Sequence, residues 1–156
     1  MSLKVRTGSR RQCSKVDLMP QRFIPMLSYE NGIAAIDWLQ TVFQFEIGAM
    51  MVDDDGRLSH AELSIGDQRI MLASSSPDYR NPKHMRDEYE AAAKWLQLPY
   101  IFNGTLVYVD DLDSTFERAE VAGAEILSPI EDGFPGRRFR MADLEGQRWF
   151  VFQHVA

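Results

Sequence analysis

The stretch Val42-Phe43-Gln44-Phe45-Glu46-Ile47 is met again, in altered form, as Val121-Ala122-Gly123-Ala124-Glu125-Ile126. Each runs from an apolar helix end through a tight turn into a strand. Two further matches keep step, Gly56-Arg57 with Gly136-Arg137 and Gly66 with Gly146, both at an offset of eighty residues. The pattern is an internal duplication of about fifty residues. Two copies are too few for a solenoid or a propeller.

Working outward, residues 22–29 form a short apolar strand that ends at Glu30-Asn31-Gly32, where Asn31 is placed to cap a helix. Ile33, Ile36, Leu39, Val42 and Phe43 share one face of that helix. Residues 45–52 read as a strand, and Asp53-Asp54-Asp55-Gly56 as a hairpin turn. Along 58–65 the pattern alternates, with Ala61, Leu63 and Ile65 on one face and His60, Glu62 and Ser64 on the other. Gly66-Asp67 turns the chain into a last strand over 69–73. Module one, residues 22–76, is therefore β-α-β-β-β.

Asn81-Pro82 is a helix start, a capping residue ahead of proline at the first helical position. Met85, Tyr89, Ala92 and Leu96 continue it as a stripe, which predicts one connecting helix over 82–98. Module two, residues 103–155, repeats the first. A strand over 105–109 precedes a helix with Ser114 and Glu117 in a capping box and Gly123 at its left-handed stop. Strands follow over 125–129, 138–142 and 148–152. The expected class is α+β, one domain over 21–156.

Composition narrows the function classes. The chain has 156 residues, with 17 basic and 23 acidic side chains and a net charge of −6. That balance disfavours nucleic acid as a partner. No apolar run reaches the roughly 18–20 residues of a membrane span. A single cysteine, Cys13, cannot make an intrachain disulfide, so the reading is cytoplasmic. Residues 1–18 carry Lys4, Arg6, Arg10, Arg11 and Lys15 against one acid, Asp17, without the apolar segment of a secretory signal. Residues 1–20 are read as a mobile tail and Cys13 as a bystander.

Two β-α-β-β-β modules in one short chain resemble the vicinal oxygen chelate superfamily, which includes glyoxalase I, bleomycin-resistance proteins and extradiol dioxygenases. Ile24-Pro25-Met26-Leu27-Ser28-Tyr29, leading into Ala34-Ala35-Ile36-Asp37-Trp38-Leu39, is similar to its first strand and helix. His60-Ala61-Glu62-Leu63-Ser64-Ile65-Gly66-Asp67 resembles the third strand of its metal-free, glyoxalase-like branch. Val107-Tyr108-Val109-Asp110-Asp111-Leu112-Asp113 resembles the start of module two. Asp143-Leu144-Glu145-Gly146-Gln147-Arg148-Trp149 resembles the Asp-Pro-Asp-Gly-His-Arg-Trp stretch before the last strand, with Leu144 for the proline and Gln147 for the histidine. The resemblance covers residues 22–153. It implies an eight-stranded U-shaped sheet with helices on the convex face, a ligand on the concave face, and a homodimer.

Metal-using members place a His, Gln or Glu ligand on the first and fourth strand of each module. By resemblance those positions fall near Ile24, at Ile70 or Met71, at Gly104 and at Phe150. None carries a donor for a divalent ion, and His60, His84 and His154 show no ligand spacing. The chain is read as holding no metal and no other cofactor. Metal-dependent glyoxalase or dioxygenase chemistry survives only if this register is wrong.

Strand alternation then nominates a ligand pocket of Met26, Ser28, Met71, Leu106, Tyr108, Phe139, Arg148, Phe150 and Phe152. It is apolar and aromatic with a few polar heads, as organic-ligand pockets are. Arg137 and Arg148 are candidates for a carboxylate or other anion, while Arg138 and Arg140 read as a solvated face. The acidic net charge suits a cationic ligand. His60 and Glu62 lie two apart on one strand face, so a second reading is a metal-independent isomerase or lyase with His60 as general base. Whether the chain is an enzyme stays open. The leading expectation is a cytoplasmic homodimer that binds a small organic molecule, with no nucleic acid or membrane partner.

Overall fold

Each helix starts and stops for a local reason. The Asn31 side chain accepts from the Ala34 N–H at 3.1 Å, opening α1 (Gly32–Phe43), which Gln44 ends in a left-handed conformation with φ 59°. Asn81 does the same for His84 at 2.8 Å, opening α2 (Pro82–Glu88). The connection does not continue as one helix. Tyr89 adopts extended backbone, φ −129° and ψ 119°, and α3 (Glu90–Leu96) starts afresh. The Met85, Tyr89, Ala92 and Leu96 stripe is thus split between two short helices that bury none of their residues fully. In module two the cap of α4 (Leu112–Val121) is Asp111, which accepts from Ser114, and not Ser114 itself. Asp111 wins because its carboxylate takes both the N–H and the hydroxyl of Ser114.

The computed structural model describes residues 21, 23–74, 76–97, 103–134 and 136–154. The expected tail over 1–20, with Cys13, and the last residue of the expected connecting helix lie outside the described residues.

The strands are β1 (Met26–Tyr29), β2 (Glu46–Val52), β3 (Leu58–Ile65), β4 (Gln68–Ser74), β5 (Thr105–Tyr108), β6 (Glu125–Glu131), β7 (Gly136–Ala142) and β8 (Arg148–His154). They form two four-stranded sheets in the same order, β1-β4-β3-β2 (sheet A) and β5-β8-β7-β6 (sheet B). In both, the first strand pairs in parallel with the fourth and the hairpins are antiparallel. The duplication read from the sequence is therefore a duplication of topology. The eight strands are hydrogen-bonded as two open sheets, not as one.

One face of each sheet is covered by its helix. Ala61, Leu63, Ile70 and Leu72 of sheet A and Phe139, Met141, Trp149 and Val151 of sheet B are buried there. Trp149 joins the modules: its ring centroid lies 4.9 Å from that of Phe43 and 6.4 Å from that of Phe45. The helices are stitched to the opposite module, Trp38 Nε1 donating to the Ala122 carbonyl at 3.0 Å and Arg118 Nε to that of Val42 at 2.9 Å.

A polar node fixes one end of this contact. Asp143, only 4% exposed, accepts from Tyr29 Oη at 2.7 Å and Trp149 Nε1 at 3.1 Å through Oδ2. Its Oδ1 accepts from the Glu145 and Gln147 N–H groups, both at 3.0 Å. Burial raises the Asp143 pKa despite these four hydrogen bonds, and raises that of Tyr29 well above its usual value. Glu145 reaches across to the N–H groups of Glu30 and Asn31 at 2.7 and 2.8 Å. Gly146 between them has φ +89°, and a Cβ there would lie 2.9 Å from the Lys83 nitrogen. Gly146→Ala should therefore loosen α2 and cost about 1–2 kcal/mol, read as a lower thermal midpoint and faster amide exchange at Lys83 and His84.

Candidate functional site

The face of each sheet turned away from its helix is open, and strand register sets what lies on it. On sheet A, Met26, Met71 and Glu62 are cross-strand neighbours, as are Met26's neighbour-but-one Ser28, Ala73 and His60. On sheet B, Leu106, Phe150 and Arg140 form one row and Tyr108, Phe152 and Arg138 the next. The apolar members are unusually uncovered: Met26 is 77% exposed, Leu106 52% and Tyr108 41%. The Tyr108 and Phe152 ring centroids lie 5.8 Å apart with the planes tilted by 53°.

Phe139 is not among them. It is fully buried on the helix-covered face, edge-on to Phe116 at 5.0 Å. The expectation places Phe139 in the pocket; here Arg138 and Arg140 take the open side and Phe139 the core. Arg137 is taken up by Asp113, through two bonds at 2.7 and 3.0 Å, and by Asp132 at 3.1 Å. Those carboxylates raise its pKa further, and it is not placed to hold a ligand. Arg148 is buried, donates to the Leu96 carbonyl and has its pKa lowered by that burial against the opposing pull of Glu125. It anchors α3 and lines a cavity of about 340 Å³ with Trp95 and Met85.

Arg140 was missed. Its guanidinium lies over the Phe150 ring at 5.6 Å, and its Nε is buried with no hydrogen-bond acceptor among the described residues. A buried donor left unmet is costly, so a shift of this side chain that brought Nε to an acceptor would be favoured. The sequence offered one clue, the two-residue spacing that puts Arg138 and Arg140 on the same face as the aromatic residues of the next strand.

On sheet A, His60 Nε2 and Glu62 Oε1 are 3.6 Å apart, too long for a hydrogen bond. Glu62 is held on its other side by Arg69 at 3.2 Å. The pair shares a surface, half-screened from solvent, without the tight contact of an assembled acid–base dyad.

The resemblance puts the ligand positions of metal-using members near Ile24, at Ile70 or Met71, at Gly104 and at Phe150. A Cβ at Gly104 would lie 2.8 Å from the Phe150 ring, so a larger ligand residue would need Phe150 to move. Among the described residues no three His, Cys, Asp or Glu side chains converge on a point. This donor set does not fit a divalent ion.

The profile of the Glyoxalase family (Glyoxalase/Bleomycin resistance protein/Dioxygenase superfamily) matches residues 26–151. The chain belongs to this superfamily. An uncharacterised protein of Mycobacterium bovis, Mb0911c, is 30% identical over 136 residues, covering 84% of this chain and 82% of that one. The structure of TioX from Micromonospora sp. ML1 superposes with a TM-score of 0.61 at 26% identity, covering 87% of this chain and 98% of that one. The fosfomycin resistance protein FosX of Listeria monocytogenes superposes with a TM-score of 0.59 at 12% identity, covering 88% and 96%. FosX shows that the superfamily fold is shared, and TioX and Mb0911c that the likeness extends to sequence. No helix among the described residues is long and apolar enough to cross a membrane.

Proposed function

We propose that this superfamily member binds a small planar organic molecule on the open face of sheet B, between Leu106, Tyr108, Phe150 and Phe152, with a hydrogen-bond acceptor or anionic group on Arg140. The observation that carries the reading is the Arg140 guanidinium, stacked on Phe150 with its Nε buried and unmatched. The local charge is basic, the reverse of the chain's net charge, which moves the expected ligand away from a cation. Of the three arginines on or beside this face, Arg138 is paired with Glu131 at 3.4 Å and Arg148 donates to Leu96.

The working unit is a cytoplasmic homodimer. Met26, Met51, Leu106 and Tyr108 leave apolar surface on both open faces. Titration with 2-naphthoate, followed by calorimetry and native mass spectrometry, tests both statements. Arg140→Ala and Phe150→Ala should each weaken binding about tenfold or more while the dimer mass persists. Unchanged affinity in both variants overturns the site.

A second reading is favoured by the His60–Glu62–Arg69 arrangement: His60 as general base in a metal-independent isomerase or lyase. His60→Ala separates the two. Turnover lost with naphthoate binding retained supports the enzyme, and both retained removes His60 from the function.

A further inference from the structure

The two modules are repeats, yet their contact is closed at one end and open at the other. At the closed end Asp143, Glu145 and Gln147 bridge to Tyr29, Glu30, Asn31 and Ser28. By sheet register Leu63, paired with Ile70, answers to Met141, paired with Trp149, so Ile65 answers to Asp143; the β3–β4 turn is only Gly66-Asp67, and Val109 stands where Tyr29 does. The same bridge cannot form there: Ile65 has no acceptor, and Val109 has no hydroxyl. Where the bridge is missing, between the β3–β4 turn and β5, the structure has a cleft of about 480 Å³. That lies within the range of roughly 300–1,000 Å³ typical of small-molecule sites.

The deep wall of the cleft is apolar and buried: Phe45, Ile70, Val107 and Trp149, with Ile65 beside them. Its charged groups are Arg69 and Asp110. Arg69 is already neutralised by Glu62. The Asp110 carboxylate makes no ion pair or hydrogen bond among the described residues, although the Asp110 carbonyl accepts from Gln153. The uncompensated charge at the rim is negative.

We propose that this cleft is a second binding site for a small organic amine, adjoining the Arg140–Phe150 face at Leu106 and Tyr108, which border both. Its apolar or aromatic body lies against Phe45, Ile65, Ile70 and Trp149, and its ammonium group meets Asp110. The site lies where one copy of the repeat lacks the polar bridge that the other has.

The test uses the full chain with two probes of one shape, 1-naphthylmethylamine and 1-naphthylacetate, in calorimetry and amide-shift titrations. The amine should bind about tenfold more tightly than the acid, since exchanging the probe's charge reverses its interaction with Asp110. Its shifts should centre on Ile65, Ile70 and Val107. Asp110→Asn, a surface change, should bring the two probes to within about threefold, and Ile65→Trp should weaken the amine about tenfold by filling the cleft. Equal affinities in the native chain overturn the proposal, as do amine shifts centred on Phe150 and Arg140, or displacement of neither probe by Ile65→Trp. If Ile65→Trp does not fold, the probe comparison and Asp110→Asn decide the matter alone. Amine binding that appears only after residues 1–20 are removed also overturns it, because the cleft would then be filled by the chain itself.

Discussion

Asp143→Ala is expected to lower the unfolding free energy by about 3–5 kcal/mol, with a thermal midpoint roughly 10 °C lower. The magnitude follows from the count and burial of what is orphaned. One carboxylate satisfies Tyr29 Oη, Trp149 Nε1 and two backbone N–H groups. Truncation leaves four donors in a site with little access to water, each costing about 1–3 kcal/mol unless the turn relaxes. Tyr29→Phe, which removes one donor and leaves the acceptor three partners, should cost only about 1 kcal/mol. Asp143→Asn keeps the shape but sets an amide N–H against a donor, so it should fall between the two. The pH dependence has a definite sign. Burial raises the folded-state pKa of Asp143 above the ordinary 3.8. The stabilisation linked to its proton is therefore fully present below the unfolded value and lost as pH rises through the folded one. The stability difference between the native chain and Asp143→Asn should accordingly grow as pH falls from neutral towards about 4. Urea unfolding across that range checks it, and a difference that shrinks over the same window would show that the four hydrogen bonds outweigh burial.

The topology was legible because it is written twice. Glycines at a fixed offset, Asn31 and Asn81 before helices, and the alternation along 58–65 each depend on local backbone chemistry, and each appears where expected. The errors have one kind of cause. Ser114 reads as a cap in isolation, but Asp111 three residues earlier is the better acceptor. Phe139 sits between two arginines, and alternation alone cannot say which of the set faces the core; packing against Phe116 settles it. The 82–98 stripe is helical in pattern, but the backbone at Tyr89 is extended, and nothing in the residue types around it signals the break. The site residues were harder still. Arg140 gains its character only from Phe150 on the neighbouring strand, and the cleft is defined by what Ile65 and Val109 lack. Asp143 and Glu145 stood in the stretch that carried the family resemblance, yet their partners lie 114 and 115 residues away along the chain.

Glu145→Ala should cost about 2–3 kcal/mol and should act at a distance, on the first turn of α1. Its carboxylate is 6% exposed and makes two charge-assisted bonds, to the Glu30 and Asn31 N–H groups. The loss should be smaller than at Asp143 because those two N–H groups are only part-buried and water can reach them once the carboxylate is gone. Hydrogen exchange should locate the effect: Glu30 and Asn31 lose protection, while the central residues of α1 keep it. The two substitutions should not add. Asp143 holds the Glu145 N–H and so shapes the turn from which Glu145 reaches, and the double variant should fall short of the sum by about 1 kcal/mol. Strict additivity, or unchanged protection at Glu30 and Asn31, would mean that the turn is held by packing and that the carboxylate is incidental. The repeat itself argues for the latch. At the other end of the molecule the β3–β4 turn is only Gly66-Asp67, Ile65 stands where Asp143 does, and no carboxylate of that turn bridges to module two among the described residues.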